Sequence, residues 1–177
     1  MNGLRMGFIS LFCMMVGFFL ACSPIEEEQG PREQMGLTFT TTTPKGEQKY
    51  DPTNILAVWV EDSKGNYVET LAVYAKDQIR HLSEWNEAAG ENKPDAMTGA
   101  TQKKYGRYET QWDMTNYAGQ TVPDGEYTIR FELTNHNKPK NQYHRTTVPF
   151  TKDGESSEKT VAMQDGYKDI EITYTGR

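Results

Sequence analysis

The chain has 177 residues, with 19 Lys and Arg against 25 Asp and Glu and a formal net charge of −6. An acidic chain without a basic stripe is a poor partner for nucleic acid, or for anionic lipid held by charge alone. Its two cysteines, Cys13 and Cys22, both lie near the N-terminus, so the rest of the chain holds no disulfide framework, thiol nucleophile or cysteine metal site.

Met1 to Arg5 carry one positive charge, and Gly7 to Ala21 form an apolar run, GFISLFCMMVGFFLA. The run is short for a spanning helix and has the layout of a secretory signal peptide. Phe19-Leu20-Ala21-Cys22 resembles a lipobox, in which cleavage precedes an acylated cysteine; Phe19 stands where Leu is usual. On that resemblance residues 1–21 are a lipoprotein signal peptide and Cys22 is the lipidation site. The protein is then exported and anchored to the membrane by lipid, on the periplasmic face or the cell surface. Two acyl chains hold such an anchor stably, since each buried CH₂ contributes about 0.8 kcal/mol. The plainer alternative is an ordinary cleaved signal with a chance cysteine.

Residues 22–35 read as a flexible acidic tether, with SPIEEEQGPREQ after the cysteine. Its acidic cluster resembles the export signal of some bacterial surface lipoproteins. Loss of Arg5 with the signal leaves a mature net charge of −7. Residues 36–177 are then one domain's worth of chain, long enough to bury a core.

Two-residue alternation dominates that domain. GLTFTTTT is a β-branched run with Leu37, Phe39 and Thr41 in alternation. Ile55–Val60 leads through Asp62-Ser63-Lys64-Gly65-Asn66 to Tyr67–Tyr74, a hairpin with a glycine in its turn. From Asp77 to Ala89 the period lengthens: Ile79, Leu82, Trp85 and Ala89 fall three or four apart, with Gly90 as a C-cap. This predicts one short amphipathic helix lying against the sandwich. Strands resume at Tyr108–Trp112, Glu126–Leu133, Gln142–Phe150, Glu158–Met163 and Asp169–Tyr174. About seven strands at short spacing predict an all-β fold, an antiparallel immunoglobulin-like β-sandwich with one short helix between strands.

Trp112-Asp113, Gly119 and Val122-Pro123-Asp124-Gly125-Glu126-Tyr127 resemble the "WD…G…PxGxY" signature of immunoglobulin-like modules in flagellar hook-capping and bacterial surface proteins. Pro123 and Gly125 supply turn geometry, and Tyr127 brings a ring for the core and a hydroxyl for a backbone partner. The likeness concerns fold, not function.

Signals for catalysis are weak. His81, His136 and His144 match no metal-ligand spacing, and no Gly-rich phosphate loop is present. Of these, His136 in TNHNKP lies near a strand end and is the one to watch. A hydrolase using His136 or His144 with a carboxylate has no nucleophile placed for it. Trp59, Trp85 and Trp112 fit core positions better than a sugar platform.

The stretch Asp95-Ala96-Met97-Thr98-Gly99-Ala100-Thr101 stands apart. It resembles the flavinylation motif Asp-x-x-Ser/Thr-Gly-Ala-Thr/Ser of the FMN-carrying subunits of sodium-pumping quinone reductase and related complexes. There an ApbE-type flavin transferase takes FMN from FAD and joins its phosphate to the last threonine. By that resemblance Thr101 is the covalent acceptor, Thr98, Gly99 and Ala100 are the S/T-G-A core, and Asp95 is the motif's acid. A reachable hydroxyl flanked by small residues suits entry into another enzyme's pocket, and Pro94 with its charged neighbours keeps the stretch outside the core. A chance match in a chain of this size is on the order of one in a thousand.

The wider stretch from Ile55 to Phe150 resembles the predicted periplasmic family called domain of unknown function 2271. The matching pieces are LAVWVEDSKGNYVETLAVYAK, the Trp85 helix, DAMTGAT, RYETQWDMTNYAGQTVPDGEYTIRFEL and the VPF after it. The resemblance implies association with flavin transfer and with membrane electron-transfer proteins of the PepSY type. Lys103, Lys104 and Tyr105 depart from the Pro-Gly-rich continuation such a motif would have. The expected function is an exported carrier of covalent FMN that relays electrons outside the cytoplasm, a redox carrier more than a stand-alone enzyme. An exposed aromatic such as Tyr105 or Trp85 is a candidate to stack on the flavin ring, and the sequence does not choose between the two. The alternative is a non-redox surface lipoprotein whose sandwich binds a partner protein or glycan.

Overall fold

The computed structural model describes residues 32–42, 54–93, 106–135 and 142–177. Eight strands alternate with turns: β1 (Gln34–Thr41), β2 (Asn54–Asp62), β3 (Tyr67–Tyr74), β4 (Arg107–Trp112), β5 (Gly125–Asn135), β6 (Gln142–Lys152), β7 (Ser157–Gln164) and β8 (Tyr167–Thr175). They form two antiparallel sheets, ordered β4-β1-β8-β7 and β3-β2-β5-β6. The expected antiparallel sandwich is therefore present, with eight strands among the described residues, one for each run read from the sequence. Its strand order is its own, because β1 and β2 lie in opposite sheets instead of pairing.

The β2 strand explains the layering. Ile55 to Val60 are all fully buried, an unbroken apolar run instead of the in-out alternation of a half-buried strand. Leu56, Val58 and Val60 pack between the sheets with Leu37, Phe39, Trp112, Ile129 and Phe131. Ile55, Ala57 and Trp59 point to the other face, where Leu82, Trp85 and Ala89 cover them. The second sheet is thus sandwiched twice, by the first sheet and by a helix.

That helical cover is one element by its period and two by its structure. A 3-10 turn (Lys76–His81) precedes α1 (Ser83–Ala89), and Leu82 between them has non-helical backbone at φ −89° and ψ 75°. Gly90 ends α1 at φ 52°, as the sequence predicts. A seven-residue helix is not stable alone, so α1 depends on what it packs against. Its own N-cap, Leu82, offers no side-chain acceptor. The acceptor comes from β5 instead. Fully buried Glu132 accepts hydrogen bonds from the N–H groups of Trp85 (3.0 Å) and Glu84 (3.3 Å) and from the Ser83 hydroxyl (3.3 Å). Arg145 closes the charge, reaching Glu132 at 3.1 Å and Glu84 at 3.1 Å.

The signature at the β4–β5 connection works as its residues imply. Trp112 donates its indole N–H to the Thr115 carbonyl at 2.7 Å, and Asp113 accepts from the Thr115 N–H and hydroxyl. Gly119 adopts φ 73°, and Tyr127 packs edge-on to Trp112 while its hydroxyl donates to the Pro123 carbonyl at 2.6 Å.

The chain enters the fold two residues before position 36. Glu33 accepts from the Tyr174 hydroxyl and pairs with Lys152 at 2.8 Å, and Lys152, buried in spite of its charge, also meets Asp124 at 2.6 Å. Arg177 adds a second cation to both acids. Burial works against the Lys152 charge, but its bonds to Asp124 and Glu33 outweigh it and raise its pKa. The Lys152 hydrogen bond, then that of Tyr174, holds Glu33 below the usual carboxylate range.

Replacing Glu132 by Gln keeps the shape and removes the charge that the α1 N–H groups and Arg145 share. The expected loss is about 1.5–3 kcal/mol in urea unfolding. A loss within measurement error would mean that packing alone holds the helix.

Candidate functional site

Asp95, Thr98, Gly99, Ala100 and Thr101 lie outside the described residues, as do Cys22, Tyr105 and His136. The structure does describe both ends of the segment that carries the motif. On the near side, Asn92 accepts a hydrogen bond at its carbonyl from Tyr67, the first residue of β3 (3.4 Å), and Lys93 sits 5.9 Å from the centre of the Trp85 ring. Trp85 in turn donates its indole N–H to Thr70 of β3 at 2.9 Å. On the far side, the Gly106 carbonyl accepts from the Thr41 N–H at the end of β1 (3.3 Å).

These two ends are far apart along the molecule. β3 and β4 are the edge strands of their sheets and meet along one side of the sandwich. Thr110 donates across that seam to the Leu71 carbonyl at 2.6 Å, and Tyr74 meets Tyr108 edge-on at its other end. The segment therefore leaves beside the start of β3 and returns at the start of β4, a distance of about the length of β4, roughly 20 Å. Thirteen residue steps separate Lys93 from Gly106 and can span roughly 45 Å when extended. The chain has about twice the length that the crossing needs.

Where the segment leaves, the seam opens into a groove of about 350 Å³. Gln34, Glu69, Thr70, Leu71, Gln111, Trp112, Asp113 and Thr115 line it. Burial raises the Glu69 pKa, and the nearby Asp113 carboxylate adds to the rise against the bond from the Thr70 N–H. Next to the groove, Tyr67 and Tyr117 pack ring to ring at 6.0 Å. Tyr117 is half exposed and is tied to β3 through its N–H on the Val68 carbonyl (2.8 Å). The Tyr67 hydroxyl shares a 2.7 Å hydrogen bond with Thr70, and burial raises its pKa.

The other sequence candidates separate cleanly. Trp59, Trp85 and Trp112 are all core residues, in line with their pattern. Trp85 is fully buried with its N–H bonded, which corrects the expectation that it stacks on a flavin: no ring face is left for a ligand. His144 pairs with Asp165 at 2.8 Å beside the β7–β8 turn. Among the described residues there is no group of three or more His, Cys, Asp or Glu able to hold a metal ion, and no helix long and apolar enough to cross a membrane. The groove itself was not foreseen. Asp113 entered only as part of the fold signature, and Glu69 carried no local signal at all.

A family model described as "Predicted periplasmic protein (DUF2271)" matches residues 36–170, well over half of the chain. No curated protein and no solved structure matches.

The groove's electrostatics make a direct prediction. The Glu69 carboxyl should titrate above the ordinary 4.5 when followed by carbon-13 NMR. Asp113→Asn should move its pKa back down. No movement would show that Asp113 does not act on Glu69.

Proposed function

Because the chain belongs to this family of predicted periplasmic proteins, we propose that it is an exported, lipid-anchored carrier that holds FMN on Thr101 and relays electrons outside the cytoplasm. The observation that carries this reading is the motif itself. All its specified positions are filled, Asp95, Thr98, Gly99, Ala100 and Thr101, in a segment with more residues than the distance between its two described ends requires. A hydroxyl that must enter a transferase pocket needs that spare length.

The attachment is a phosphoryl transfer. The Thr101 hydroxyl attacks the FMN phosphorus of FAD, a new P–O bond to the threonine forms and the anhydride bond breaks. AMP leaves, and the hydroxyl proton passes to a base of the transferase. Bound in this way, FMN supplies one- and two-electron transfer chemistry. The chain's own residues do the rest. The sandwich gives a rigid platform, the covalent bond prevents loss of the flavin from an exported protein, and Cys22 keeps the carrier beside a membrane electron-transfer partner.

Co-expression of the mature protein with a flavin transferase tests this. A denaturing gel should show a fluorescent flavin band that Thr101→Ala reduces to background. An unlabelled wild-type band, or a label that survives Thr101→Ala, would overturn the reading and leave residues 95–101 a plain connector.

A further inference from the structure

The open lining of the groove between β3 and β4 is polar, and much of it is left without partners. Among the described residues, the side-chain amides of Gln34 and Gln111 make no hydrogen bond. Glu69 uses one carboxylate oxygen on the Thr70 N–H, and Asp113 uses one on the N–H and hydroxyl of Thr115. Among those same residues the second oxygen of each accepts nothing. We propose that this groove is a glycan site, in which Gln34, Gln111, Glu69 and Asp113 bind the hydroxyls of a pyranose and Tyr117 stacks on its C–H face. The site is independent of Thr101 and of flavin.

Four polar forks around one concavity narrow the ligand class. No Lys, Arg or His lines the groove. A phosphate or carboxylate would therefore meet two like charges with no counter-charge. Leu71 and Trp112, behind the lining, are buried in the core, which leaves no open wall for a flat apolar ligand. An alkylammonium satisfies the carboxylates alone, because it has donors and no acceptor. The N–H groups of the two amides need an acceptor as well. Sugar hydroxyls both donate and accept, and a neighbouring pair of them matches the two polar atoms of one planar carboxylate or amide. A volume of about 350 Å³ falls within the roughly 300–1,000 Å³ of small-ligand sites.

Tyr117 supplies the remaining surface. It borders the groove without lining it. Thr115, which does line it, stands two residues earlier, and the Val68 carbonyl, next to Glu69, accepts from the Tyr117 N–H at 2.8 Å. The Tyr117 ring is half exposed and rests on Tyr67 at 6.0 Å. Its loop is braced from within, since the Asn116 side chain accepts from the N–H groups of Ala118 and Gln120. A pyranose turns one face of C–H bonds outward, and an aromatic ring already fixed in place covers that face with little further loss of freedom.

A ligand titration followed by amide NMR tests the site. The mature protein is titrated with the methyl glycosides of glucose, galactose, mannose and N-acetylglucosamine, and separately with n-butylammonium. The expected result is saturable shifts at Glu69–Leu71 and Gln111–Tyr117 with at least one glycoside, at an affinity in the millimolar range. Gln111→Ala and Tyr117→Ala, both at exposed positions, should each weaken that affinity at least threefold and leave the rest of the spectrum in place. Absent or non-saturating shifts with all four glycosides would overturn the site, as would an affinity that neither variant weakens. Saturable shifts with n-butylammonium alone would make the groove a cation site and equally overturn the glycan assignment.

Discussion

Six consecutive apolar residues, Ile55 to Val60, are buried on alternating faces of β2, and this double burial organises the molecule. One face is satisfied by the opposing sheet, as in any sandwich. The other would expose Ile55, Ala57 and Trp59 to water unless something lay over them. The insertion between β3 and β4 is that cover. It is too short to be a stable helix alone, so Leu82, Trp85 and Ala89 hold it by burial and Glu132 holds it by charge.

The cover also decides where the chain can go next. α1 lies back along β3 and ends beside Tyr67, while β4 begins at the opposite end of the seam. Residues 94–105, which contain the motif, join those two ends. A turn of two or three residues could not make the crossing. The same end of the sandwich receives the N-terminal chain, because Gln34 both opens β1 and lines the groove. The Glu33–Lys152–Asp124–Arg177 cluster fixes that entry against the last residue of the chain.

Much of this was legible in the sequence. Period-two runs marked the strands, the longer period from Ile79 to Ala89 marked the helical cover, and Tyr127 announced a backbone partner for its hydroxyl, which the structure identifies as the Pro123 carbonyl. The break at Leu82 was not legible. Its side chain keeps the helical spacing toward the core while its backbone leaves the helix, and spacing reports only the first. The groove was hidden for a different reason. Glu69 and Asp113 belong to edge strands of different sheets, or to the turn that follows one, and no local pattern records which edges meet. Trp85 shows the converse: its place on the buried face excluded a ligand role that its aromatic ring seemed to invite.

The central claim is that Thr101 is the residue that carries flavin. Tandem mass spectrometry of the proteolytic peptide containing residues 95–101, taken from protein made alongside a flavin transferase, tests it most directly. The account predicts the added mass of FMN, less one water, with fragment ions that place it on Thr101 and not on Thr98. An unmodified peptide at full coverage, or FMN located on any other residue, would contradict it.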